Sequence, residues 1–228
     1  MFIFDPMYFL FIAPAFLLGL WAQAMIHSSY NKAQRRAAPL SGAAAARHIL
    51  DSAGLTNVPI EQVPGHLSDH YDPRQKVLRL SPQVYQSRSL AAVGIAAHEA
   101  GHAMQDADAY APLVLRNAAV PAAGFGSNIG ILLVIVGAIM QMNAFLIWAG
   151  IALFSCVVVF QVVNLPVEFN ASSRAKAQLA ELGIVGPQEM SYVRKVLNAA
   201  ALTYVAATLQ AILTLIYLIM RFTGGDSD

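Results

Sequence analysis

Charged residues are scarce in this chain, and that scarcity excludes most classes of soluble protein. Only 12% of the 228 residues are Asp, Glu, Lys or Arg, whereas soluble domains carry about a quarter. The single cysteine, Cys156, rules out a disulfide within the chain. A formal net charge of +1 without a basic cluster gives no sign of nucleic-acid binding. The remainder is strongly apolar, with 57% hydrophobic residues and a mean hydropathy of +0.54, which predicts a membrane protein.

Three long runs without a charged residue locate the membrane spans, at residues 6–26, 117–167 and 196–220. A helix needs about 20 apolar residues to cross a bilayer, so each outer run is one helix and the middle run is two. We expect those two near 128–140 and 144–164, joined by a turn at 141–143. The predicted fold class is a mainly α membrane protein, with about four transmembrane helices and a small α+β domain at the membrane face.

The most informative stretch is His98-Glu99-Ala100-Gly101-His102. It lies in a predicted helix at 90–105, which contains no proline and has Ser89 as its N-cap. Histidines four residues apart share one helix face, so both can bind one tetrahedral zinc ion. Zinc lowers the pKa of its bound water toward neutrality, and Glu99 is placed to take that water's proton and pass it to a leaving amine. The pattern predicts a zinc hydrolase.

A third ligand is expected from a distant part of the chain. The two middle spans carry the chain across the membrane and back, so the segment after residue 165 returns to the face of the histidine pair. Glu168 follows the apolar run there, and Pro166 predicts that a helix opens beside it. Glu168 is therefore the expected third ligand.

Two acids on the motif helix are alternatives to Glu168. Asp106 lies one turn beyond His102 on the same face, and Asp108 stands where metzincin proteases carry a third histidine. Gln105 replaces a glycine of that metzincin pattern, which excludes the metzincin class. A site that uses Asp106 or Asp108 stays open at this point.

The rest of the polar sequence predicts a small α+β arrangement. A helix is expected at 41–53, capped by Ser41 and ended by Gly54, with Arg47 and His48 exposed. Strands are expected at 58–63 and 76–80. We expect the second strand to offer a free edge, on which an extended peptide could pair and so hold its scissile carbonyl over the metal.

Three side chains near the turn between those strands are candidates for binding the substrate or its transition state. His66, His70 and Tyr71 could each donate a hydrogen bond to the oxyanion that forms on the attacked carbonyl.

Basic residues set the expected orientation in the membrane. The stretch before the first span carries an acid and no base, which favours an uncleaved anchor over a signal peptide. Basic residues follow the first and third spans, and the positive-inside rule places both loops in the cytoplasm. These are Lys32, Arg35, Arg36, Arg47, Arg174, Lys176, Arg194 and Lys195.

The expected organisation follows from these spans. It comprises an N-terminal transmembrane helix (1–27), a cytoplasmic zinc-peptidase core (28–118), a transmembrane hairpin (119–164), a cytoplasmic helical segment with the third ligand (165–195), a C-terminal transmembrane helix (196–221) and a tail (222–228).

Four blocks of sequence together resemble the bacterial membrane-bound neutral zinc metallopeptidase family, and the match runs nearly end to end. The blocks are GHLSDHYDP at 65–73, LRLS at 78–81, AAHEAGHAMQ at 96–105 and LPVEF at 165–169. That family is similar in outline to gluzincin proteases such as the CAAX prenyl endopeptidases and the bacterial heat-shock membrane protease. The resemblance implies His98, His102 and Glu168 as zinc ligands and Glu99 as the acid/base.

The chain departs from the expected family pattern at two positions. Asn170 stands where we expect an aspartate, and Ser172 stands where related gluzincins carry an aspartate that supports a ligand histidine. Losing such support can cost about 10–100-fold in metal affinity or activity. Ser172, Asn170 or a backbone carbonyl must then take its place, and Asp106 is a further candidate.

The function predicted from the sequence is an integral membrane zinc endopeptidase with one Zn²⁺ per chain. Its partners are a peptide or protein substrate and the lipid bilayer, in a bacterial plasma membrane, with the active site on the cytoplasmic side. Two alternatives stay open: an intramembrane protease of the site-2 kind, and a catalytically silent membrane adaptor that uses zinc only for folding. The intact Glu99 argues against the adaptor, because a structural zinc site has no use for an adjacent base.

Overall fold

A computed structural model of the protein describes residues 5–140 and 142–223. The elements in chain order are α1 (Pro6–Gln34), α2 (Gly42–Ser52), β1 (Ile60–Gln62), β2 (His70–Asp72), β3 (Val77–Leu80), α3 (Pro82–Gln86), α4 (Leu90–Ala107), α5 (Ala111–Phe125), α6 (Ile131–Ile139), α7 (Ala144–Glu181) and α8 (Met190–Thr223). A π-helical turn, Gly126–Gly130, joins α5 to α6. The predicted class, a mainly α membrane protein with a small sheet, is confirmed.

Within the described ranges, four helical stretches are long and apolar enough to cross a membrane. They are Pro6–Gln34, Ala111–Ile139, Ala144–Glu181 and Met190–Thr223. The number of spans is as predicted, but the predicted bounds are too short, because they ended each helix where polar residues begin. Lys, Arg and Gln are good helix formers, so a helix can continue well beyond its apolar part. The expected turn at 141–143 is described only in part, since Gln141 lies outside the described residues.

One helix boundary matters for the candidate site. Pro166 was expected to open a new helix, but it lies inside α7, which runs unbroken from Ala144 to Glu181. Proline removes one backbone donor, and the helical turns on both sides of it hold the helix together. Glu168 is therefore two residues past a proline in the middle of a long helix, and not at a helix start.

The chain divides into two compact units. The first comprises Met1–Trp21, Val114–Pro166 and Leu202–Asp228. In its described part a small buried cluster includes Val134, Phe154 and Leu218, while many large apolar side chains are exposed, among them Phe145 at 79% and Ile139 at 77%. So much exposed apolar surface is typical of helices that face lipid.

The second unit comprises Ala22–Leu113 and Val167–Ala201, and α4 lies at its centre. Most residues of α4 are buried, and many of them are alanine or glycine. Small residues allow close packing around it: a Cβ at Gly94 would lie 3.1 Å from the Val193 side chain of α8. The helix that carries the motif is thus enclosed by its neighbours.

A three-stranded sheet in this unit has the order β1-β3-β2. β1 runs parallel and β2 antiparallel to β3. The strands predicted at 58–63 and 76–80 are present in shortened form, but β2 was missed. Because β3 is central and paired on both sides, the prediction that 76–80 offers a free edge to substrate is wrong.

The predicted helix at 41–53 is confirmed, since α2 is capped by the Ser41 hydroxyl and ends before Gly54, at φ +75°. Arg47 was expected to be exposed but is half-buried. Its guanidinium donates to the carbonyls of Val58 and Leu55 at 2.6 and 2.8 Å. The Arg47 guanidinium therefore holds the chain after α2 against that helix. The sequence pattern of α2 does not reveal this contact.

Candidate metal and catalytic site

The histidine pair lies on the well-capped helix α4. The Ser89 hydroxyl accepts a hydrogen bond from the backbone N–H of Ala92 at 3.2 Å, which starts the helix as predicted. His98 and His102 follow on one face, with ring centroids 4.7 Å apart and ring planes at 84°. Two imidazoles at this separation can turn their Nε2 atoms toward one point.

Glu168 on α7 completes the group. Its Oε2 lies 3.2 Å from Nε2 of His98 and 3.7 Å from Nε2 of His102. The possible ligand atoms of these three residues all lie within 4.8 Å of one another. The structure thus brings together the three residues that the sequence singled out as ligands, although 70 positions separate His98 from Glu168.

A close approach of two backbones makes this meeting possible. A Cβ added at Gly101 would lie 2.7 Å from the backbone oxygen of Ala171 on α7, so only glycine fits there without displacement. Gly101 lies between the histidines on α4, and Ala171 lies one turn beyond Glu168. The close approach of the two helices is therefore at the same level as the three side chains.

The electrostatics of the group suit a cation. Burial lowers the pKa of His102, but the neighbouring carboxylates of Glu168 and Glu99 outweigh burial, so the pKa lies above its usual value. The group thus attracts positive charge. Two imidazole nitrogens and one carboxylate are also a donor set that zinc accepts, with a fourth position left for water or substrate.

Glu99 is held outside the ligand group. Its Oε2 accepts a hydrogen bond from the backbone N–H of Tyr71 on β2, at 3.2 Å. The Tyr71 phenol donates to Oδ2 of Asp106 at 2.9 Å. Burial, followed by the hydrogen bond to Asp106, raises the pKa of Tyr71, so its hydroxyl stays protonated. Tyr71 therefore links β2 to α4 through two groups, its backbone N–H and its phenol.

The remaining sequence candidates have other partners. Asp106 accepts from Tyr71, and Asp108 accepts from the Arg174 guanidinium. His70 is exposed and its Nδ1 lies 2.7 Å from the backbone oxygen of Ser68. His66 is also exposed. None of these four belongs to the group of possible ligands found among the described residues.

Each histidine of the pair has a polar partner on its other nitrogen. Ser172 Oγ lies 3.2 Å from Nδ1 of His98, and Gln105 Oε1 lies 3.0 Å from Nδ1 of His102. Asn170 reaches the histidine only through Gln105, whose Nε2 donates to Asn170 Oδ1 at 3.0 Å. This position of Gln105 was not predicted from the sequence. The available signal was a polar residue one turn after His102 among alanines and a methionine.

Comparison with known proteins places the chain in a class. The sequence model of a family described as "Putative neutral zinc metallopeptidase" matches residues 8–223, nearly the whole chain. The protein belongs to this zinc metallopeptidase family, which confirms the resemblance drawn from its motifs.

One relative aligns with nearly the whole chain. The "Putative membrane protease YugP" of Bacillus subtilis (strain 168) is 46% identical over 226 residues, which covers 97% of this chain and 100% of that protein. No solved structure matches the chain significantly.

Proposed function

We propose that the protein is an integral membrane zinc endopeptidase with one Zn²⁺ per chain, bound by His98, His102 and Glu168. The observation that carries this proposal is the meeting of the two Nε2 atoms of α4 with the Glu168 carboxylate of α7, within 4.8 Å. Glu99 stands beside the group and is not part of it. A purely structural zinc site would use a fourth protein ligand and would not need this free carboxylate.

When bound, zinc supplies Lewis acidity, which makes a coordinated water easier to deprotonate and polarises the substrate carbonyl. Glu99 takes the proton of the attacking water and delivers it to the nitrogen of the leaving amine. The N–H of Tyr71 orients the Glu99 carboxylate before substrate arrives. His98 and His102 turn their Nε2 atoms toward Glu168, with their Nδ1 atoms turned to Ser172 and Gln105.

The substrate path follows β2. β2 lies at one edge of the sheet, and its residue Tyr71 contacts Glu99. An extended peptide that pairs with this edge runs beside α4, within reach of the carboxylate, and is bound chiefly through its main chain. His66 and His70, exposed on the same segment, are then placed to contact substrate side chains.

The membrane setting of the proposal rests on the four apolar helices and the basic residues beside them. The first unit lies in the bilayer of a bacterial plasma membrane, and the zinc site faces the cytoplasm, where the positive-inside rule places the loops after the first and third spans. The predicted division into a peptidase core, a transmembrane hairpin and flanking transmembrane helices stays part of this proposal.

A comparison of the wild type with Glu99→Gln tests the function. Glutamine keeps an acceptor for the Tyr71 N–H but cannot take a proton, so zinc should stay bound while peptide cleavage falls by about 10²–10⁴-fold. The measurement is zinc content together with turnover of a quenched fluorescent peptide by the full chain in detergent. Normal turnover by the variant rules out the assigned base, and a wild type that binds zinc but cleaves nothing favours a silent adaptor.

A further inference from the structure

Gln105 is the most deeply buried amide at the site, with none of its surface exposed. Its Oε1 lies 3.0 Å from Nδ1 of His102. Its Nε2 donates to the backbone oxygen of Val167 at 2.8 Å and to Oδ1 of Asn170 at 3.0 Å. One side chain of α4 thus joins a candidate ligand to two groups of α7.

The direction in which Gln105 points is fixed by its α7 partners. A backbone oxygen only accepts, so Val167 requires the NH₂ end of the amide. Arg174 only donates, and its Nε donates to Asn170 Oδ1 at 2.8 Å. Asn170 therefore also presents an oxygen to Gln105 and requires the same NH₂ end.

The orientation of Gln105 determines which nitrogen of His102 carries the proton. With its NH₂ end committed to two acceptors, Gln105 turns its oxygen to Nδ1 of His102, which must then carry the proton. The lone pair is left on Nε2, the atom that lies 3.7 Å from Glu168 Oε2. The opposite tautomer would set two buried acceptors, Nδ1 of His102 and Oε1 of Gln105, against each other at 3.0 Å, which proteins avoid. With Nδ1 protonated, the Nε2 lone pair and the Glu168 carboxylate face each other at 3.7 Å, an arrangement that a bound cation would stabilise.

We infer that Gln105, held by Val167 and by the Arg174–Asn170 pair, is a positioning residue that fixes His102 in its metal-binding tautomer. The inference deepens the proposed function and rests on it for the meaning of the site. Gln105 replaces the carboxylate that commonly supports a metal-bound histidine. Unlike a carboxylate it adds no charge to the pocket.

His98 provides the internal contrast. Its Nδ1 faces the hydroxyl of Ser172 at 3.2 Å, and a hydroxyl can donate or accept. Ser172 therefore orients the ring without selecting its tautomer. The two histidines of the motif are thus held by different partners on Nδ1, and only the partner of His102 selects a tautomer.

The tautomer can be read directly in the metal-free protein. Histidine labelled with ¹⁵N in the full chain, in detergent and at a pH where the imidazole is neutral, distinguishes protonated Nδ1 from protonated Nε2. The His102 signal is identified by its loss in His102→Ala. The inference expects His102 of the wild type to be protonated at Nδ1, and a wild type protonated at Nε2 overturns it without any further variant.

Zinc affinity supplies the second measurement, by competition with a chelator. Gln105→Met keeps the volume but removes every hydrogen bond, so zinc should bind about 10–100-fold more weakly and His102 should show both tautomers. Gln178→Met is the matched control, because it makes the same change at a glutamine of α7 whose partners, Ser52 and Glu181, lie outside the site, and its affinity should equal that of the wild type. A folded Gln105→Met protein with unchanged affinity and tautomer, or a Gln178→Met protein as impaired as Gln105→Met, overturns the inference.

These outcomes are separable from failure of the proposed function. If the wild type binds no zinc, the proposed function fails, while the tautomer of metal-free His102 still decides the role of Gln105. If the wild type binds zinc and Gln105→Met binds it equally well, the function stands and the positioning role falls.

Discussion

The backbone N–H of Tyr71 donates a hydrogen bond to Glu99 Oε2 across 3.2 Å, which ties a three-residue edge strand to the helix of the histidine pair. The donor is main chain, so no side-chain substitution at Tyr71 short of proline removes it. The phenol of the same residue points elsewhere, to Asp106 at 2.9 Å. Tyr71 thus has two separable functions, and they can be tested apart.

Tyr71→Phe should keep most of the activity and lose some stability. The variant retains the N–H donor to Glu99 but loses the phenol–Asp106 hydrogen bond, which contributes about 1 kcal/mol to the free energy of unfolding. Denaturant unfolding of the purified protein measures the loss, and kcat/KM measures the activity. If the phenol were an oxyanion donor, as the sequence first indicated, kcat would fall by about 10²–10³-fold.

Glu168→Ala should abolish stoichiometric zinc binding. Removing the carboxylate leaves two imidazoles from one helix, so we expect affinity to fall by more than the roughly 100-fold typical of losing a supporting partner. Metal analysis after gel filtration, or an anomalous-scattering map, measures the result.

Glu181→Ala is the matched control, because Glu181 is the last residue of the same helix α7 and is exposed. The ligand assignment would be wrong if Glu168→Ala bound one zinc per chain as tightly as Glu181→Ala does.

Gly101→Ala should destabilise the protein by about 1–3 kcal/mol, since its Cβ would lie 2.7 Å from the Ala171 oxygen and force α4 away from α7. Zinc affinity should fall with it, because the same displacement separates the histidines from Glu168. Thermal unfolding and chelator competition together report both effects.

A second glycine of a helix interior controls for helix propensity. A Cβ at Gly124 of α5 meets nothing within 4 Å, so Gly124→Ala should stabilise by about 0.5–1 kcal/mol. Equal effects of the two substitutions would contradict the close approach of α4 and α7.

Chelation should abolish cleavage while leaving the fold intact. The core of the second unit is made of apolar residues that do not depend on the ion, so circular dichroism should change little when zinc is removed. Added zinc should then restore activity without a refolding step. Cooperative unfolding on chelation would instead assign the ion a structural role.

The sequence carried enough information to predict that His98, His102 and Glu168 meet, because its signals are local or topological. The N-cap Ser89, the four-residue spacing of the histidines and the alanines around them predict α4 almost to its ends. Glu168 followed from a hairpin argument, which needs only the number of spans. Both depend on periodicity and composition, which a single sequence displays.

What the sequence did not reveal depends on contacts between distant residues. β2 has only three residues and ends at Asp72, directly before Pro73, so its sequence indicated a turn and not a strand. The order β1-β3-β2 includes a parallel pair, and no local pattern shows which strand becomes the centre. In the sequence, Gln105 only marked the absence of the metzincin glycine. Its contacts could not be predicted, because its partners Val167 and Asn170 lie more than 60 residues away.

The contact between Gly101 and Ala171 also bears on which metals the protein accepts. Where main chain meets main chain, a change of rotamer cannot alter the spacing, so the backbone fixes the distance between the helices that carry the histidines and Glu168. Zinc bonds to nitrogen and oxygen at about 2.0–2.2 Å, whereas calcium needs about 2.3–2.6 Å and six or more oxygens. We therefore expect the proposed site, with two nitrogen donors and a fixed spacing of its helices, to prefer zinc to larger, harder cations.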